Sequence, residues 1–216
     1  MADFEAVLDA LYNAVLDGNA PAAKKLTQEL IDGGAAVETI LYDAMIPGMN
    51  EVGRLFEQGE YFVPEMLVSA NAMKGGMELL QPLLELSDVK PIAKVVMGTV
   101  RGDVHDIGKN LAIMMMKGAG FQVIDLGVNV PPEKFIEAAS DGAAIVGMSA
   151  LLTTTMPNMK VTIDAFTAAG LRDRVKIIVG GAPVTEEFAI EIGADGYGAN
   201  ANQAVTVAKT LLGVPV

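Results

Sequence analysis

The sequence predicts a chain of two parts: a four-helix bundle over residues 1–88, then a doubly wound α/β domain over residues 91–216. Three observations carry this. Apolar residues recur at helical spacing up to about Lys90. Beyond Pro91, short apolar strand-like runs alternate with helical ones. Between them, Ser87 to Pro91 interrupts the apolar pattern with polar residues and a proline.

In the first part, Phe4, Val7, Leu8, Leu11, Val15 and Leu16 mark one helical face. Gly18-Asn19-Ala20-Pro21 ends that helix and opens the next, with Pro21 in a first turn where its missing N–H is harmless. The second helix runs from Ala22 to Ile31 and stops at Gly33-Gly34. The third runs from Ala35 to about Phe56, and Pro47-Gly48 is expected to bend it. Tyr61-Phe62-Val63-Pro64 leads into a fourth, from Glu65 to about Leu84. Short loops between four helices predict a bundle.

In the second part, the strand-like runs are Ala93–Val100, Gln122–Asp125, Ala144–Met148 and Val175–Val179, with a short fifth near Gly196-Tyr197. Helical runs fill the gaps at Lys109–Ala119, Pro132–Ser140, Met156–Ala169 and Thr185–Ile192, and Asn200–Leu212 closes the chain. Nearly continuous apolar strands indicate a sheet covered on both faces. Five such units predict a flavodoxin-like, five-stranded parallel sheet.

Composition narrows the functions. Formal net charge is −12, from 15 basic and 27 acidic residues, which argues against a nucleic-acid partner. The chain has no cysteine, so thiolate metal sites and disulfides are excluded. Asp3, Glu5 and Asp9 stand where a signal peptide would be basic. No apolar run approaches the roughly 20 residues of a membrane span. The expectation is a soluble, cytoplasmic protein without a membrane partner.

The single histidine, His105, lies in Arg101-Gly102-Asp103-Val104-His105-Asp106-Ile107-Gly108-Lys109, after the first strand and before a helix. Open α/β sheets bind ligands beyond the carboxyl ends of their strands. A neutral imidazole can hold a metal on one nitrogen while Asp103 or Asp106 fixes the proton on the other. The plainer reading is a residue that precedes a helix start. One histidine cannot build an ordinary zinc site, so any metal here brings most of its own ligands.

Three further stretches follow strands and should gather at the same sheet edge. They are Gly147-Met148-Ser149-Ala150-Leu151-Leu152-Thr153-Thr154-Thr155, then Gly180-Gly181-Ala182-Pro183, then Gly196-Tyr197-Gly198-Ala199-Asn200. Glycines let a ligand approach the backbone, and the hydroxyls can bind polar groups. Ordinary strand-to-helix turns use the same residues.

Taken together, Asp103-x-His105-x-x-Gly108, Ser149-x-Leu151 and Gly180-Gly181 resemble the cobalamin-binding signature DxHxxG, SxL, GG. Here 40 residues separate the first two motifs and 28 the last two. The runs Gly102–Asn110 and Asp125–Pro131 are similar to the cobalamin module of methionine synthase and to the small corrinoid proteins of anaerobic methyltransferase systems. The resemblance covers nearly the whole chain, and the length agrees with free-standing corrinoid proteins.

The resemblance implies a bound cobalamin or related corrinoid, methylcobalamin in the loaded state, with His105 as lower axial ligand to cobalt. It places Asp103, Val104, Asp106, Ile107, Gly108, Ser149, Leu151, Thr153, Thr155, Gly180 and Gly181 around the cofactor's lower face and tail. Glycines suit a slot for that tail, since a side chain would fill it. Asp103 and then Thr155 continue from His105 as a network that tunes the metal. Methionine synthase has serine where this chain has Thr155. The helical bundle corresponds to a cap over the upper face, with Phe56, Val63 and Met66 in contact. Periodicity alone would leave those three in the bundle core.

The function so implied is a methyl carrier without catalysis of its own. It would serve a substrate-specific methyltransferase, a second methyltransferase that passes the methyl to tetrahydrofolate or a thiol, and a reductive activase. An adenosylcobalamin mutase subunit shares the α/β signature, but the helical cap argues against it. A cobalamin-dependent sensor normally adds a DNA-binding module, for which the chain shows no basic helix. A cofactor-free flavodoxin-like interaction module would not need the motif spacing.

Overall fold

The computed structural model describes residues 4–86 and 91–215, and the interruption expected at Ser87 to Lys90 lies outside them. The chain divides into two compact units. One comprises residues 4–86 with Gly118–Gly120, the other Pro91–Lys117 with residues 121–215.

The first unit is helical. α1 spans Glu5–Leu16 and α2 Ala20–Asp32. Asn19 caps α2, its side chain accepting from the Ala22 N–H at 3.1 Å. The third helical run is composite: α3, Val37–Thr39, a π-helical turn, Ile40–Met45, and α4, Ile46–Glu57. The expected bend at Pro47 is thus met by a wider turn ahead of it. Proline offers no N–H to the ladder and its ring crowds the carbonyl four residues back. The Ile46 N–H reaches back to the Leu41 carbonyl, five residues away, which opens the helix there. α5, Val63–Leu86, is the longest helix described and carries Pro82 within it. Leu11, Val15, Leu30, Ile40, Met45, Met49 and Leu80 are buried in this unit.

The second unit is a parallel sheet of β1 (Lys94–Thr99), β2 (Gln122–Asp125), β3 (Ile145–Ser149), β4 (Lys176–Gly180) and β5 (Gly196–Gly198). Their spatial order is β2-β1-β3-β4-β5. Between and after them run α6 (Ile107–Gly118), α7 (Pro132–Ser140), α8 (Pro157–Ala168), α9 (Glu186–Glu191) and α10 (Ala201–Leu212). Val96, Val146, Met148, Ile177 and Val179 pack with Phe135, Met159, Ile163 and Phe166 in one core. β2 is an edge strand with exposed ends, so it lacks the continuous burial of β1, β3 and β4.

This order is what positions the site. β1 and β3 are neighbours in register, Thr99 opposite Ser149. The chain leaves β1 toward β2 and leaves β3 toward β4, so their two loops diverge at the strand ends. A crevice opens at such a switch point. Among the described residues, no helix is long and apolar enough to cross a membrane.

Candidate functional site

The loop after β1 begins at Val100, whose N–H donates to the Ser149 carbonyl at 3.0 Å. Gly102 turns it, at φ +83°, a backbone that side chains rarely adopt. The buried Thr99 hydroxyl donates to the His105 carbonyl at 2.9 Å and ties the far end of the loop back to β1. Asp106 precedes α6 and is exposed, and its carboxylate accepts from the Asn110 amide at 3.0 Å. It is therefore occupied with the helix start. Asp103 is the residue that meets the imidazole.

The Asp103 side chain is 0% exposed, whereas that of His105 is 45% exposed. Asp103 Oδ1 lies 2.7 Å from His105 Nδ1 and accepts from the His105 backbone N–H at 3.0 Å. Its Oδ2 accepts from the Leu151 N–H at 2.8 Å, the Leu152 N–H at 3.3 Å and the Thr155 hydroxyl at 2.7 Å. Burial by itself would raise the Asp103 pKa. The bonds from Thr155, from the backbone of His105 and Leu151 and from the His105 ring outweigh it, and hold the carboxyl well below the ordinary carboxylate range.

An ionised carboxylate only accepts hydrogen bonds. The proton of a neutral imidazole must then sit on Nδ1, which leaves the Nε2 lone pair as the ligand atom. Among the described residues, no group of three or more His, Cys, Asp or Glu side chains could hold a metal ion. The donor set fits a metal whose remaining ligands belong to its own macrocycle: one oriented imidazole nitrogen on an exposed ring.

The other expected residues fall into three groups. Val104, Ile107 and Leu151 are exposed apolar side chains on the loops that flank the histidine. Gly108 and Thr153 are exposed and Ser149 is half-buried. Leu151 acts on Asp103 through its backbone rather than its side chain. Thr155 is buried and also lies 2.9 Å from the Leu152 carbonyl, so one hydroxyl proton faces two acceptors.

Gly180 and Gly181 have a steric reason of their own. A Cβ on Gly181 would lie 1.9 Å from the Ala150 carbonyl oxygen, and φ there is +129°. A Cβ on Gly180 would lie 2.7 Å from the Gly198 carbonyl oxygen. Neighbouring backbone is by itself enough to forbid side chains at both positions.

In the helical unit, Phe56 is half-buried and Val63 is exposed, while Met66 has no exposed surface. Of these three, Phe56 and Val63 present surface.

Several contributors carry no motif of their own. Thr99 and Leu152 hold the histidine loop through one hydrogen bond each, and Asn129 through two. Lys109 is buried, its ammonium 2.6 Å from Asp125 and 2.7 Å from Asn110 Oδ1. Burial opposes ionisation of Asp125, but Lys109 and the Gly127 N–H together lower its pKa. The one sequence signal for Asn129 was Gly-Val-Asn-Val-Pro after a strand, since Asn tolerates left-handed backbone.

Comparison with known proteins gives a consistent picture. Residues 93–206 match the model of the B12 binding domain, and residues 7–81 match a second B12 binding domain model. The chain is 42% identical to dimethylamine corrinoid protein 3 of Methanosarcina acetivorans, over 98% of this chain and 100% of that one. Among solved structures, a cobalamin-binding protein from Desulfitobacterium hafniense aligns with TM-score 0.79 and 32% identity, covering 97% of this chain and 98% of the other. The methanol:cobalamin methyltransferase complex of Methanosarcina barkeri aligns with TM-score 0.86 and 28% identity, covering 99% and 82%.

Proposed function

The chain belongs to the B12-binding corrinoid proteins, and we propose that it carries a methyl group from a substrate-specific methyltransferase to a second methyltransferase. The observation that carries the reading is the pairing of His105 with a buried, ionised Asp103 that leaves Nε2 free. When bound, the corrinoid supplies a cobalt centre able to accept and release a methyl cation. The chain's residues do the rest. His105 would hold the metal through Nε2. Asp103 keeps the imidazole proton on Nδ1 and fixes the ring. Thr155, Leu151 and Leu152 keep Asp103 charged. Val104, Ile107 and Leu151 offer apolar contact to the macrocycle, and the loops carrying Ser149 and Gly180-Gly181 flank its tail. Phe56 and Val63 would be the residues of the helical unit that keep water from the reactive metal centre, with Met66 as buried support.

The dimethylamine relative favours a methylated amine as donor, presented by a separate methyltransferase. The acceptor of the second enzyme is tetrahydrofolate or a thiol, and a reductive activase restores the protein after oxidation. All of this takes place in the cytoplasm. The test uses untagged protein with ring-15N-labelled histidine, reconstituted with hydroxocobalamin and reduced to Co(II). Electron paramagnetic resonance should show coupling to the labelled imidazole, and His105→Ala should lose it. Coupling to the cofactor's own base in the parent protein would overturn the assignment.

A further inference from the structure

We infer that Asn129 is the positioning residue that sets the geometry of His105, acting from the loop after β2. The inference rests on the reading of His105 as axial ligand and goes beyond the three motifs, none of which contains Asn129. The Gly102 N–H donates to Asn129 Oδ1 at 2.8 Å. The Asn129 N–H donates to the Asp103 carbonyl at 2.8 Å. One residue therefore grips the Gly102–Asp103 segment at both ends, immediately before the histidine. Asn129 is also the one non-glycine at positive φ among the described residues, at 54°. Asn and Asp adopt that backbone far more readily than other side chains.

The gripping loop is itself fixed. The Thr99 N–H donates to the Gly127 carbonyl at 3.0 Å, and the Val130 N–H donates to the Thr99 carbonyl at 2.9 Å. Asp125 Oδ1 accepts from the Gly127 N–H at 2.9 Å and from Lys109 at 2.6 Å. Asn129 is thus presented from a loop anchored on both sides to β1 and to the start of α6. Gly102 is the freest joint in the histidine loop, and it is the joint that Asn129 closes. Without that bond the Asp103 backbone can turn about Gly102, and the carboxylate and imidazole turn with it. Ligands placed by supporting hydrogen bonds lose much of their effect when the support goes.

Asn129 is exposed, so removing its side chain opens no cavity. N129G keeps the backbone accessible and deletes only the acceptor. N129D retains an acceptor and tolerates the same φ. Both are made in untagged full-length protein and reconstituted with hydroxocobalamin. The ratio of imidazole-ligated to unligated Co(II) is read from 15N coupling, and Gly102 amide hydrogen exchange is read in the cofactor-free protein. N129G should lower the ligated ratio about fivefold, the effect of one ordinary hydrogen bond. It should also speed Gly102 exchange by a similar factor. N129D should stay near the parent in both. A parent-like ratio in N129G, or N129D behaving as N129G does, would overturn the inference. A parent protein without imidazole coupling would overturn the reading of His105 and this inference with it.

Discussion

Asp103→Asn addresses the tautomer argument at its centre. The carboxylate accepts two donors on Oδ1, both from His105, and three on Oδ2, from Leu151, Leu152 and Thr155. Asparagine has one oxygen and one NH2 group. Its oxygen belongs on the Oδ2 side, where two backbone N–H groups and a hydroxyl converge. The NH2 then faces His105. The His105 backbone N–H loses its acceptor, and the ring must turn Nδ1 from donor to acceptor. The stranded N–H costs about 1–3 kcal/mol of unfolding free energy, with the lower half expected because the bond is only partly buried. The larger consequence is chemical, because the proton moves to Nε2 and blocks the ligand atom. An Asp-to-Asn change behind the histidine of serine proteases costs about 10⁴ in rate for the same reason. The sequence has one histidine, so ring-15N labelling of untagged protein reports a single imidazole. Long-range proton–nitrogen NMR of the cofactor-free protein should place the proton on Nδ1 in the parent and on Nε2 in Asp103→Asn. A variant that keeps its proton on Nδ1 and still ligates the metal would refute the reasoning.

Thr155→Val removes the side-chain hydroxyl on Asp103 at nearly constant volume and should cost about 1.5–3 kcal/mol, while Thr155→Ser should stay near the parent. Because the folded pKa of Asp103 is lowered, its contribution is complete above the unfolded value near about 3.9 and fades as pH falls toward the folded one. Urea unfolding should thus show the full gap between parent and Thr155→Val at about pH 6, shrinking only in acid strong enough to protonate folded Asp103, and a gap that widened in acid would contradict this. Gly181→Ala puts a carbon 1.9 Å from the Ala150 oxygen and should cost more than about 4 kcal/mol. Gly102→Ala meets only the Thr155 methyl at 3.6 Å and should cost about the 1–2 kcal/mol of left-handed backbone, so equal losses in denaturation would discredit the backbone account of Gly181. Phe56→Ala should speed the light-driven loss of methyl from methylated holoprotein, followed by absorbance, and an unchanged rate would return Phe56 to bundle packing.

The five strands and the helices between them could be read from alternation, because buried parallel strands are short, apolar and punctuated by glycine. The π turn could not. Pro47 announces a disturbance, but whether the helix bends or widens depends on how the buried Ile40, Leu41, Ala44 and Met45 fit their neighbours. The same limit applies to the site. His105 and its neighbouring aspartates stand out in sequence, yet choosing Asp103 over Asp106 depends on donors from Leu151 and Thr155, 48 and 52 residues away. Gly180 and Gly181 were picked out as functional glycines, but the oxygens that require them belong to Ala150 and Gly198, which no local pattern links to them. Asn129 lies inside the run Asp125–Pro131 that carries the resemblance, but nothing local singles it out, because its partner Gly102 lies 27 positions earlier.

The wide turn before Pro47 has a consequence for how such chains can change length. A π turn holds one residue more than a regular helix of the same rise, and that surplus is stored where the helix already tolerates a proline. Deleting Asp43, which is exposed, would return the segment to ordinary α-helix and leave the later residues on their original side. Descendants of this chain can therefore lose a residue here without re-aiming Phe56. The turn is a store of one spare residue, the place where this helix can shorten while everything after it keeps its facing.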